Sequence, residues 1–424
     1  MKGSAPGRSA GQVPESGPKL DVWAPLRHQR EWVIMAASFS INLGVQYISP
    51  LLPAMRTDLH LTTVQVGWIV GGYSAPSLLL TLPLGILADF WGPKRMLVAA
   101  LLVFGVSGVG TVTASTFTEL LIWRIVQGVA FAPLATLTIS LVADSLPLEH
   151  QAMAQSYRSV VSSGSEFVLP VLAGLVLAAT GNWRAPFFLL VAPLGVAVWA
   201  ALVLPRSHTT RRRERTGYTG RAASALREPP ILGLTVGGFA RWFLKYGFFA
   251  YMPLYLSTRV HASPSEIGYV IGIPGLVAAV VSSQAGRLGL GRRGKGWLMV
   301  TLALFGACIP GITLLPSVWW AGAVSVVMGV SDGILGPLLN SFISILPPPQ
   351  VRVAVVSVSG LLRNIGKTVA PTVLGPLVLL VGYPAAFAVV GLVAVTAPAY
   401  LLPLYRRPDT PASSSSTQLQ VGPQ

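Results

Sequence analysis

Charge is scarce in this chain and cysteine nearly absent. Asp, Glu, Lys and Arg make up 10% of 424 residues and hydrophobic residues 52%, whereas soluble domains carry about 25% charge. With a single cysteine, Cys308, no internal disulfide can form and no thiolate metal cage is suggested. The five histidines, His28, His60, His150, His208 and His261, all fall outside the long apolar stretches, with no Ser-His or metal-ligand spacing around them. That pattern excludes the constellation an intramembrane enzyme needs, so no catalytic residue, cofactor or metal is expected. No short apolar core lies near the start, so a secretory signal is not expected either. Acids are few: 14 Asp and Glu against 30 Lys and Arg, a formal charge of +16. Such a balance can mark nucleic-acid binding. Here the bases sit in short segments between apolar stretches, which reports membrane topology instead, and no nucleic-acid partner is expected.

What is abundant is apolar length. Twelve runs fall at roughly 33–54, 64–88, 96–115, 119–142, 153–178, 185–205, 231–256, 266–286, 297–315, 319–346, 353–380 and 385–405. A helix in water keeps a polar face, so a soluble domain cannot absorb twelve such runs; each is about the length that crosses a bilayer. The predicted fold is an all-α membrane protein of twelve transmembrane helices in two six-helix bundles. Residues 1–31, rich in Gly, Pro and Ser, form a disordered leader; 32–205 form the first bundle and 206–230 a basic linker. Residues 231–405 form the second bundle and 406–424 a disordered tail. If both termini are cytoplasmic, about 21 Lys and Arg fall on that side and about three, Arg56, Arg184 and Arg259, on the other. This asymmetry predicts a multi-pass protein of the cytoplasmic membrane with both ends inside.

The halves resemble each other. Ser49-Pro50-Leu51 matches Met252-Pro253-Leu254, Gly85 matches Gly286, and Ala132-Pro133-Leu134 matches Gly336-Pro337-Leu338. Arg158 matches Arg363 and Gly181 matches Gly382. Anchors in the same order at a constant spacing of about 201 to 205 argue for a tandem duplication. Two parallel repeats suit a rocker that exposes a midplane site to each side in turn.

The second run leads into Gly85-Ile-Leu-Ala-Asp89-Phe-Trp-Gly92-Pro-Lys94-Arg95. This loop resembles the signature of the major facilitator superfamily, with Phe90 where that family usually has Arg. The resemblance covers roughly residues 31 to 405. It implies a gating role for Gly85, Asp89, Gly92, Lys94 and Arg95: glycines for the tight turn, bases on the cytoplasmic face, and an acid that pairs across the two halves. Arg124-Ile-Val-Gln127-Gly128 in the fourth run is similar to the second motif of drug–proton exporters, where the arginine is linked to proton movement. The alternative role for Arg124 is a structural tie to neighbouring carbonyls and acids. Gly164, Pro170 and Gly174 match the exporters' fifth-helix motif in part, with Leu169 before the proline instead of Gly. Trp183, before the sixth run, is expected to be an interfacial anchor.

The resemblance also implies that helices one, four, seven and ten line a central cavity. Asn42, Gln46, Tyr47, Arg241, Lys245, Tyr246 and Asp332 are then candidates for substrate binding, with Asn42 the repeat counterpart of Lys245. Arg241 and Lys245, four apart, share one helix face, as do Arg363 and Lys367. Glu166 and Asp332 are the acids at depth; Glu166 is the first candidate for a proton carrier, with a static ion pair as its alternative. Six bases against two acids suggest either a pocket for anions or bases that snorkel and pair. The function expected is proton-coupled export of a small organic solute by alternating access. The alternatives are proton-coupled uptake of an organic anion or metabolite, and a lipid flippase or non-transporting receptor on the same fold. The partners expected are a small-molecule substrate, protons and the lipid bilayer, with the chain acting as a monomer.

Overall fold

The fold comes from a computed structural model that describes residues 28–145, 148–205, 227–285, 288, 291–348 and 351–406. The expected leader and tail, most of the linker, Gly286 and the side chain of Asp89 lie outside the described residues. Among the described residues there are helices and turns but no strands.

The first half comprises α1 (Gln29–Asn42), α2 (Leu52–Asp58), α3 (Thr63–Trp91), α4 (Pro93–Thr113), α5 (Phe117–Ser145), α6 (Leu148–Thr180) and α7 (Ala192–Val203). The second comprises α8 (Pro229–Tyr255), α9 (Pro264–Ala285), α10 (Arg292–Ile312), α11 (Val318–Ile345), α12 (Arg352–Thr396) and α13 (Leu402–Arg406). Among the described residues, eight helical stretches are long and apolar enough to cross a membrane. Proline sits inside α3, α5, α6 and α8 to α12 without ending them, as membrane helices tolerate when neighbours re-satisfy the freed carbonyls. The longest described helix, α12, contains Gly382 at φ 78, ψ 169, where two helices meet.

The first apolar run is not one helix. After Asn42 the chain opens into turns through residues 43–48 and resumes as a 3-10 stretch Ser49–Leu51 before α2. The carbonyls freed there are met from elsewhere. Arg124 Nη2 donates to the Gly44 carbonyl at 2.5 Å and Tyr73 Oη to that of Ile41 at 3.3 Å.

The duplication is written into the backbone. Gly181 and Gly382 both have positive φ, and among the described residues the two non-glycine residues that do, His60 and His261, are also 201 positions apart. Each histidine precedes the same N-terminal device. Thr62 and Gln65 cap α3 reciprocally, the Thr62 amide donating to Gln65 Oε1 at 2.8 Å and the Gln65 amide to Thr62 Oγ1 at 3.2 Å. Ser263 and Glu266 do so at α9, with distances of 2.7 and 3.4 Å. These boxes satisfy amides that a helix start otherwise leaves bare.

The halves meet through α6 against α9 and α3 against α12. Their backbones approach so closely that only glycine fits. A Cβ at Gly67 would lie 2.2 Å from the Pro371 carbonyl oxygen, and one at Gly268 would lie 2.6 Å from that of Pro170. Small residues at such crossings are the usual way membrane helices pack without a hydrophobic driving force. Ser49 Oγ donates to the Phe249 carbonyl at 2.5 Å, and Tyr251 Oη to the carbonyls of Thr63 at 3.3 Å and Pro371 at 2.7 Å. These contacts gather at the end that carries the His60 and His261 turns, here called the closed end. Toward the opposite end, which carries the Gly92 turn, Gly85 faces open space, and Leu79 and Phe90 are about four-fifths exposed (79% and 82%).

The closed end is pinned within the first half as well. Trp183, expected at the membrane interface, is 3% exposed. Its Nε1 donates to Asp58 at 2.9 Å, because an indole buried away from water must find an acceptor. Arg184 donates to the same carboxylate at 2.8 Å and to the carbonyls of Val112 and Ala114. These two donors hold the Asp58 carboxyl below its ordinary pKa, the Trp183 hydrogen bond first and Arg184 next.

Candidate functional site

The i, i+4 spacing on α8 brings Arg241 and Lys245 to one acid. Arg241 Nε lies 2.5 Å from Asp332 Oδ1 on α11, and Lys245 Nζ lies 3.2 Å from Asp332 Oδ2. Lys245 also reaches across the boundary of the halves to Glu166 Oε2 on α6, at 2.8 Å. Asp332 and Lys245 keep only 6% and 7% of their side chains exposed and Glu166 17%. Charges in such a setting persist only when paired, which this cluster does with two acids and two bases.

Tyr246 and Trp242 build the aromatic side of the same site. The Trp242 ring lies 5.1 Å from the Arg241 guanidinium, 5.4 Å from Lys245 Nζ and 4.2 Å from Lys367 Nζ. Trp242, Lys367 and Phe131 were not among the residues expected to bind substrate. A tryptophan lodged between two intramembrane bases was the available signal, because a buried cation lacking a carboxylate seeks an aromatic face. Beside them, Arg241, Trp242, Asn340 and Arg363 line a cleft, with Arg363 Nη1 donating to Asn340 Oδ1 at 3.0 Å.

On the first apolar run, Asn42 and Tyr47 bond within the first half. Asn42 Nδ2 donates to Ser162 O at 2.9 Å and Ser165 Oγ at 2.5 Å, tying α1 to α6 within the first half. Tyr47 Oη donates to the Pro186 carbonyl at 2.5 Å, and Gln46 is 5% exposed. Arg124 is fully buried. Its Nη1 donates to Gln127 Oε1 at 2.5 Å and its Nε to the Ile69 carbonyl at 3.4 Å, and its guanidinium lies 4.6 Å from the centre of the Tyr73 ring. These partners are all neutral groups.

Of the gating residues, Gly92 has φ 86, ψ 143, a conformation that glycine adopts readily, and it makes the turn between α3 and α4. Lys94 donates to the Leu204 carbonyl at the end of α7, and Arg95 is exposed.

Known proteins match both the sequence and this architecture. A family profile described as Major Facilitator Superfamily matches residues 34–371. The chain belongs to the major facilitator superfamily. It is therefore a multi-pass membrane protein of a family that moves solutes and is not enzymatic. The uncharacterized MFS-type transporter YceJ of Bacillus subtilis (strain 168) is 22% identical over 354 residues, 82% of this chain and 88% of that protein. The quinolone resistance protein NorA of Staphylococcus aureus (strain MRSA252) is 25% identical over 253 residues, 57% of this chain and 62% of that protein. Among solved structures, that of a mutant of the nucleoside transporter NupG superposes with a TM-score of 0.72 at 11% identity, covering 88% of this chain and 99% of that one. An inward-facing, unoccupied bacterial homolog of the human lysosomal transporter Spinster superposes at 0.66 with 19% identity, covering 89% and 92%. At these identities the superpositions show a shared fold.

Proposed function

We propose that this superfamily member exports a small organic solute across the cytoplasmic membrane in exchange for protons. It would work as a monomer of twelve crossings with both termini cytoplasmic. The observation that carries the coupling is the Lys245–Glu166 pair, because it joins the two halves at mid-depth. Rocking the halves apart at the closed end separates α6 from α8 and breaks that pair. A carboxylate stripped of its ammonium partner in a low-dielectric pocket is stable only once it takes up a proton. Protonation and the change of access then favour each other, and by linkage each drives the other. Lys245 keeps Asp332 as a partner throughout, so the base is never left bare. Export rather than uptake is supported by the exporter-like Arg124 motif and by a relative named for quinolone resistance. The basic composition of the linker supports assigning the open end to the cytoplasm.

The test is accumulation of fluorescent organic solutes by inside-out vesicles containing the protein. Accumulation should require an imposed pH gradient, acid inside, and collapse when a protonophore dissipates it. Uptake indifferent to the gradient would remove proton coupling. Gradient-driven movement in the opposite direction would replace export with uptake.

A further inference from the structure

Lys367 is a charge that the coupling network does not use. Its Nζ lies 4.2 Å from the centre of the Trp242 ring, 5.8 Å from that of Tyr246 and 5.7 Å from that of Phe131, which belongs to the other half. Among the described residues no carboxylate pairs with it. An aromatic face attracts a cation but compensates it far less than a carboxylate does. Trp242 already has Arg241 and Lys245 near its ring, so three cations share one indole.

The duplication makes the placement more telling. At the spacing that relates Arg158 to Arg363, Lys367 corresponds to Ser162; at about 203, Lys245 corresponds to Asn42. In the first half these two positions make a neutral hydrogen bond, Asn42 Nδ2 to Ser162 O at 2.9 Å. In the second half both are lysines, one held by Glu166 and Asp332 and the other boxed in rings. Positive charge is thus concentrated on one wall of the pocket, beside a cleft that opens past Trp242 and Arg363.

We propose that the transported solute is an aromatic organic anion whose carboxylate pairs with Lys367 and whose ring lies among Trp242, Tyr246 and Phe131. This assigns the substrate class of the carrier proposed above and rests on that reading, though not on its direction. Phe131 and Trp242 come from opposite halves, so a ring held by both is gripped only when the halves are as close as they are here.

The experiment is equilibrium binding to purified full-length protein in nanodiscs. The probes are 2-naphthoate, its neutral amide, 2-naphthylmethylammonium and cyclohexanecarboxylate. The naphthoate should bind at least about tenfold more tightly than each of the other three. Lys367→Gln should weaken it by a similar factor, while Lys367→Arg should retain it. The proposal is overturned if naphthoate does not bind, if the ammonium probe binds as well, or if Lys367→Gln binds it unchanged. The charge series on unaltered protein decides the matter even where a variant does not fold. Counterflow of labelled 2-naphthoate in proteoliposomes tests the carrier separately. Specific binding without exchange supports the anion site and removes the carrier; exchange of the ammonium probe alone keeps the carrier and removes the anion site.

Discussion

Lys245 bridges two carboxylates that belong to different halves of the protein: Glu166 at 2.8 Å across the boundary and Asp332 at 3.2 Å on its own side. One ammonium therefore reports whether the halves are together, and this relationship generates the sharpest prediction. Glu166→Gln should keep the shape of the contact and remove its titration. Solute exchange between equal compartments should continue, while acceleration by a pH gradient should disappear. A variant that still concentrates solute against its gradient at the expense of protons would take Glu166 out of the coupling.

Asp332 is shared by two bases, so its loss should be felt as instability. Asp332→Asn leaves Arg241 facing a neutral amide in a nearly buried site, a change that costs about 3–5 kcal/mol when a buried pair loses one member. Removing the orphaned base too, in Asp332→Asn with Arg241→Gln, should recover part of that loss. Thermal melts of the single and double variants in detergent check this, and equal melting temperatures for the two would contradict it.

Arg124 should behave as a brace for the opened first segment. Its nitrogens separately serve the Gly44 carbonyl, the Ile69 carbonyl and Gln127 Oε1. Lysine has one nitrogen on a flexible stem and cannot span the three. Arg124→Lys should therefore lower stability by about 1–3 kcal/mol for the acceptors left unmet. The effect should be present at every pH, measured as a drop in melting temperature. A loss confined to proton-driven transport, with stability intact, would favour the other role.

Closure should depend on the bare backbone at Gly268. A side chain there would collide with the Pro170 carbonyl, which cannot rotate away. Gly268→Val should hold the closed end ajar. In a Cys308→Ser background, a cysteine at Ser49, buried at this end in the closed form, should then react faster with a membrane-impermeant maleimide. Unchanged labelling would show that α6 and α9 need not touch for the end to seal.

The Asp58 latch should show in the pH dependence of stability. Its carboxyl is held below the ordinary aspartate pKa by Trp183 and Arg184, so folding favours the charged form. The stabilisation is complete at neutral pH and lost as the medium falls below about pH 4 and through the lowered folded value. The melting temperatures of unaltered protein and Asp58→Asn should differ at neutral pH and converge in acid. A gap that widens on acidification would reverse the sign.

Composition and pattern carried the architecture a long way. Apolar runs with almost no charge must become lipid-facing helices, because unpaired backbone groups cannot be left in hydrocarbon. The duplication was readable in side-chain anchors, and its backbone counterpart at His60 and His261 was there to be found at the same spacing. The site was half legible. Arg241 and Lys245 had to share a face, and an acid at depth had to meet them. That Glu166 takes Lys245 and Asp332 takes both bases follows from how α6, α8 and α11 converge, which no local spacing encodes.

The sequence by itself determined that this is a membrane carrier fold built twice, since length, polarity and repeat spacing are properties of the chain alone. Only the tertiary structure decided which end is sealed, why Arg124 is spent on the Gly44 carbonyl, and why Lys367 meets rings rather than an acid. Those outcomes depend on contacts between segments more than a hundred residues apart in several cases. A buried charge settles by whatever the packed neighbours offer it.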